Sequence, residues 1–163
     1  MNNKEVAQRI NRCETELGLV IKWAKANPLA RLNRHLTLYA LIETHGTIEL
    51  SIKHIIFDTL TKSGTPQLKT YLNENIKNRP FDIRYDNICK FLKNHIDDNW
   101  RGKLKKKIEA GMDSLKIKSA LKTLHDTRNE FAHGGDPTIS LNAVKECFDD
   151  AVKVIKILDI LAK

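Results

Sequence analysis

Apolar residues recur at helical spacing through almost the whole chain, and the punctuation of β-hairpins is nearly absent. Val6, Ile10, Cys13, Leu17, Val20, Ile21 and Ala24 form one stripe, and Val144, Phe148, Ala151, Val152, Ile155, Leu158 and Leu161 form another. Asn2 or Asn3 is placed to cap a first helix running to about Ala26, where Asn27-Pro28 stops it. A longer second helix is expected from Ala30 to Lys62, ending at Ser63-Gly64. Pro66 opens a short helix to about Asn75, Tyr85 to His95 forms another with Ile88, Phe91 and Leu92 inward, and Trp100 leads a basic segment. Asp113 or Ser114 starts the next long helix, and Thr138 or Ser140 caps the last, which reaches Ala162. The pattern predicts an all-α bundle of four long helices with short helices inserted between the second and the third.

The 163 residues form one predicted domain, 1–163, because no repeat, low-complexity tract or long linker divides them. With 41% hydrophobic and 29% charged residues the chain has the composition of a globular core. Its net charge of +8 favours anionic partners, nucleic acid first and a membrane surface second. Cys13, Cys89 and Cys147 are dispersed and odd in number, which argues against a disulfide framework and a zinc site and suits a reducing cytoplasm. Met1-Asn2-Asn3-Lys4-Glu5 leads into no apolar signal core and no apolar run approaches a membrane span, so a cytoplasmic protein without membrane association is expected.

Two charges interrupt apolar rows. Ile117, Leu121, Leu124 and Phe131 share a helical face, and Arg128 falls inside it. On the second helix Ile42, His45, Glu49, Ile52 and Ile56 recur at three and four, with Glu49 in the middle and Gly46 a turn earlier. A glycine inside a helix costs about 1 kcal/mol relative to alanine unless packing or a partner requires it. Burying a lone guanidinium or carboxylate is costly, so the simplest expectation is that Arg128 and Glu49 meet.

Arg128 also begins the run Arg128-Asn129-Glu130-Phe131-Ala132-His133, which a Gly134-Gly135 stop closes. Asn129 and His133 are four apart and neighbour each other on a helix, whereas Arg128 and His133 are about 140° apart. A titratable imidazole and a fixed guanidinium are what metal-free RNA cleavage requires: the histidine moves a proton and the arginine steadies charge on phosphorus. The same residues fit a structural reading, with a C-terminal histidine on the helix dipole and an arginine in an ion pair.

The run from Arg128 to Gly134 resembles the signature of HEPN domains, an arginine followed after four to six residues by a histidine, often with a polar residue after the arginine. Arg34-His35-Leu36 through Gly46-Thr47-Ile48-Glu49 to Ile55-Ile56 is similar to the second helix of the RiboL-PSP type of HEPN domain. Trp100 after Asp97-Asp98-Asn99, and Lys118-Ser119-Ala120-Leu121, fit as well; residues 64–96 match only loosely. The resemblance implies a helical homodimer with two motifs in a shared cleft. It further implies a metal-independent endoribonuclease that needs no cofactor and leaves a 2′,3′-cyclic phosphate, in a toxin–antitoxin or phage-defence setting with an antitoxin or defence partner. Under it Arg128 holds the phosphate, His133 is the acid/base, Asn129 orients one of them, and Glu49 braces Arg128 with Gly46 beside it. Other HEPN proteins bind RNA, nucleotide or a protein without cutting, and that reading stays open, as does an interaction protein whose Arg128–Glu49 pair only fixes a dimer.

The remaining features say less. Arg101, Lys103, Lys105, Lys106 and Lys107 form either an RNA-facing patch or a solvated helix face. His35, His45 and His54 lack metal-ligand spacing; His45 reads as a satisfied buried histidine and His125 as solvated surface. Trp23 and Trp100 read as packing anchors.

Overall fold

The computed structural model describes residues 1–62 and 64–163, and the expected stop residue Ser63 lies outside them. Its helices are α1 (Lys4–Ala26), α2 (Leu32–Thr61), α3 (Pro66–Leu72), α4 (Tyr85–His95), α5 (Asp98–Glu109), α6 (Ser114–Ala132) and α7 (Leu141–Leu161). No strand occurs among the described residues. The architecture is the expected one: α1, α2, α6 and α7 are long, and α3 to α5 lie between the second and third of them. One departure is local, since α3 runs on into a π-turn at Asn73–Lys77, closed by the Asn78 N–H donating to the Asn73 carbonyl at 3.1 Å.

The caps explain where the helices begin. The Asn3 side chain accepts from the Val6 N–H, Thr65 from Leu68, Asp97 from Trp100 and Ser140 from Ala143. Each satisfies a donor that the first turn leaves without a partner, worth ~1 kcal/mol. Asp159, buried on α7, accepts the Asn2 N–H at 2.5 Å and the Asn3 N–H at 2.8 Å, which fixes the start of α1 against the end of α7.

Helix α2 is the spine, packed against α1, α6 and α7. The stripes of α1 and α7 close on it: Val6, Ile10, Cys13 and Leu17 from one side and Val144, Phe148, Val152, Ile155 and Leu158 from the other are all buried. Fully burying a side chain of this size contributes about 1.5–3 kcal/mol, so these two seams hold the bundle together. The α2 row is only partly as expected, because Ile52 and Ile56 are buried but Ile42 is 47% exposed. Trp100 packs against the core as an anchor, whereas Trp23 is exposed on α1.

Helices α2 and α6 run antiparallel, and two contacts give their register. Arg34 pairs with Asp136 just beyond α6, and His45 faces His125 further in. Each step forward on α2 is therefore a step back on α6, which sets Ile42 level with Arg128 and Glu49 level with Leu121. No helix is long and apolar enough to cross a membrane among the described residues.

Candidate active site

The C-terminus of α6 is built by its two glycines. His133 is the C-cap, the Gly134 N–H donates to the Phe131 carbonyl at 3.0 Å, and the Gly135 N–H donates to the Glu130 carbonyl at 2.9 Å. This is a Schellman closure, which needs a left-handed residue directly after the cap, and Gly134 supplies it at φ +83°. Gly135 is required for another reason: a Cβ there would lie 2.7 Å from Glu130 Cγ and 2.9 Å from the Glu130 carbonyl oxygen. The closure ends the helix sharply and leaves the His133 side chain exposed, beside a loop that Arg34 anchors through Asp136.

Arg128 is half-buried, and one of its terminal nitrogens donates to Asn129 Oδ1 at 3.1 Å. No carboxylate lies within 4.0 Å of its guanidinium among the described residues. The expected meeting with Glu49 does not occur. By this register Glu49 lies level with Leu121, offset from Arg128 by roughly 10 Å of helix rise, and its carboxylate is taken up by nearer partners. Glu49 instead accepts from Lys53 Nζ at 2.6 Å and from the Phe81 N–H at 3.2 Å, with His45 Nδ1 at 3.8 Å. Lys53, only 4% exposed, also reaches the Lys77 carbonyl at 3.4 Å. Glu49 and Lys53 thus tie α2 to the segment between α3 and α4.

Between that ion pair and Arg128 lie two histidines. His45 Nε2 is 3.4 Å from His125 Nδ1, and His125 Nε2 is 2.9 Å from Asn129 Nδ2 and 3.4 Å from Asp82 Oδ1. His45 is buried as expected, and burial pushes it down to about 4 against the opposing pull of Glu49. His125 was expected at the surface but is 9% exposed, and burial lowers it as well, with Asp82 opposing. Burial raises the Asp82 carboxyl, but hydrogen bonds from Arg84 outweigh it and leave Asp82 below the usual carboxylate range. The polar strip through Asn129 thus runs inward to His125 and His45; among the described residues no hydrogen bond or ion pair joins Arg128 to His133.

Gly46 has nothing within 4 Å of where a Cβ would stand, so no packing among the described residues demands it. On α5, Leu104 and Ile108 are buried, Lys103, Lys106 and Lys107 are exposed, Lys105 is half-buried, and Arg101 pairs with Asp98 at 2.8 Å. The basic run is therefore the outer face of an anchored helix. A second cationic surface was missed. Arg84, Lys90, Lys118 and Lys122, with Asp86 among them, line an open cleft of about 640 Å³ between the start of α4 and α6, and Arg84, Lys118 and Lys122 also pair with Asp82, Glu109 and Asp126. Its signal is the four-residue spacing of Lys118 and Lys122 on the helix that carries Arg128.

The arrangement offers a half-buried cation without an anion, an exposed imidazole on the same helix end, and flanking positive charge, which is chemistry suited to a phosphodiester. The RiboL-PSP-HEPN family model matches residues 11–163. The chain belongs to the RiboL-PSP-HEPN family and is a HEPN-type domain, a class of nuclease and RNA-binding modules in general. No curated protein and no solved structure matches it.

Proposed function

We propose that the chain is a metal-independent endoribonuclease of HEPN type, with Arg128, Asn129 and His133 as its catalytic residues. The observation that carries this reading is the half-buried Arg128 guanidinium, held by Asn129 at 3.1 Å and without a carboxylate partner among the described residues. Such a cation is incomplete until an anion arrives, and a phosphodiester supplies one in the geometry that a guanidinium fork recognises.

In this mechanism the ribose 2′-oxygen attacks the adjacent phosphorus, forming the P–O2′ bond as the P–O5′ bond breaks. The 2′-hydroxyl gives up its proton to a base, the departing 5′-oxygen takes one, and the product is a 2′,3′-cyclic phosphate. Arg128 stabilises the charge on the phosphoryl oxygens, Asn129 fixes Arg128, and His133 transfers a proton. No hydrogen bond or ion pair joins Arg128 to His133 among the described residues, so the reading includes a homodimer in which two helix ends share a cleft. Cations at Arg84, Lys90, Lys118 and Lys122, and secondarily the α5 run from Arg101 to Lys107, line the path of the strand. A toxin–antitoxin or phage-defence role, with an antitoxin or defence partner in the cytoplasm, belongs to the same proposal.

The absence of that bond among the described residues also favours a second reading, a HEPN module that binds RNA, nucleotide or a protein partner without cutting. A labelled RNA pool incubated in chelator with the wild type, Arg128→Ala and His133→Ala separates the two. Cleavage by the wild type alone is expected. Retention without cleavage establishes the binding module instead.

A further inference from the structure

The donors and acceptors behind Arg128 can be assigned from one end to the other. A guanidinium only donates, so the Asn129 atom facing it at 3.1 Å is the amide oxygen. The Asn129 NH₂ then faces His125 Nε2 at 2.9 Å and donates to it, so that nitrogen carries a lone pair. The single proton of a neutral His125 ring must sit on Nδ1, where it points at His45 Nε2, 3.4 Å away. His45 Nε2 accepts, leaving the His45 proton on Nδ1, towards Glu49 Oε2 at 3.8 Å, while Lys53 holds the other Glu49 oxygen at 2.6 Å. This assignment satisfies Arg128, Asn129, His125 and His45 Nε2 together, with the Asn129 amide fixed by Arg128 setting the direction, and all of it lies beneath the helix end that bears the arginine.

We infer that His125 and His45 are positioning residues, a directional hydrogen-bonded relay that holds the Asn129 amide so that its oxygen fixes the Arg128 guanidinium. The inference rests on the nuclease reading only for its effect on catalysis; the relay itself is a property of the free protein. It contains a switch. Asp82 Oδ1 stands 3.4 Å from the same His125 Nε2 that Asn129 occupies. A proton on that nitrogen turns it from acceptor to donor, so it then bonds Asp82, the Asn129 amide loses its partner, and Arg128 is released. The charges that bear on His125 come from Asp82 and Arg84 before α4 and from Asp126 and Arg128 on α6, while on α2 its neighbour His45 is in turn acted on by Glu49. Burial keeps the ring neutral near pH 7 and the relay closed.

Long-range ¹H–¹⁵N correlation of the full chain, with histidine signals assigned through His45→Gln and His125→Gln, reads the relay directly. At pH 7 both rings are expected as the Nδ1–H tautomer, and Asn129→Ala should move the His125 proton to Nε2, towards Asp82. An Nε2–H tautomer or a charged ring in the wild type overturns the relay, as does a His125 tautomer indifferent to Asn129→Ala. The catalytic arm uses cleavage of a single-stranded RNA. His125→Ala should lower kcat about tenfold or more with little change in KM, the scale expected when a hydrogen bond to a charged group's support is lost. His125→Gln, whose carbonyl oxygen still accepts from Asn129, should recover most of it; equal losses in the two variants would overturn the positioning role. If the wild type cuts no RNA but shows both expected tautomers, the relay stands and the nuclease reading falls.

Discussion

His45 on α2 and His125 on α6 face each other at 3.4 Å across the interface of two antiparallel helices, with the Glu49–Lys53 ion pair on one side and Asn129 and Arg128 on the other. The pair ties the outermost cation of the site to the interior of the bundle, and several consequences are measurable.

The first is a dependence of stability on pH. His45 falls from an ordinary 6.5 to about 4 on folding, chiefly by burial. A group with a depressed folded pKa stabilises the native state above its unfolded pKa, and that contribution is lost as pH falls towards the folded value. Stability should therefore decline between about pH 6.5 and 4, by on the order of 3 kcal/mol from this residue. Urea titrations across that window should show the decline, and His45→Gln should flatten it.

A second concerns Lys53, which is buried, and its partner Glu49, whose side chain is 18% exposed. Lys53→Met leaves the Glu49 carboxylate without its cation and is expected to cost about 3 kcal/mol. Replacing both, Lys53→Met with Glu49→Leu, should recover much of that loss in a double-mutant cycle. Additive losses would show that the two residues act separately.

The glycines of α2 and of the α6 terminus should respond in opposite directions. Gly46→Ala meets nothing within 4 Å and is expected to raise stability by about 1 kcal/mol, seen as a higher melting temperature. Gly134→Ala forces a side chain into the left-handed region at a cost of about 1–2 kcal/mol. Gly135→Ala should cost more, since the Glu130 backbone cannot move out of the way without opening the closure. Both terminal substitutions should also reduce RNA cleavage, because His133 is the residue the closure sets in place.

Asp159→Ala tests the N-terminal seam. Two backbone N–H groups lose their common acceptor at a buried carboxylate, which is expected to cost about 2–3 kcal/mol. The loss should appear in thermal melts and leave the histidine tautomers unchanged.

Much of the fold was legible in the sequence because periodicity and caps are local. Asn3 and Ser140 cap where expected, Tyr85–His95 has its expected bounds, and the α7 stripe up to Leu158 and the α1 stripe up to Leu17 form the buried seams, while Val20, Ile21 and Ala24 are only partly covered. The family was legible too, and its model matches residues 11–163. Register between helices was not. Spacing shows that Glu49 and Arg128 interrupt apolar rows but not how far the rows are offset, and the offset separates them. His125 was missed because the segment before α4 covers it from outside its own helix, and Lys53 because a cation in an apolar row is ordinarily at the surface. Ile42 erred in the other direction, on a row whose far end emerges beside the half-buried Arg128.

The most direct test of the central claim is the chemistry of the cut ends. A defined single-stranded RNA, incubated in chelator with the wild type, is expected to yield fragments ending in a 2′,3′-cyclic phosphate, with none from Arg128→Ala or His133→Ala. No cleavage, fragments ending in a 3′-hydroxyl, or undiminished cutting by either variant would contradict it.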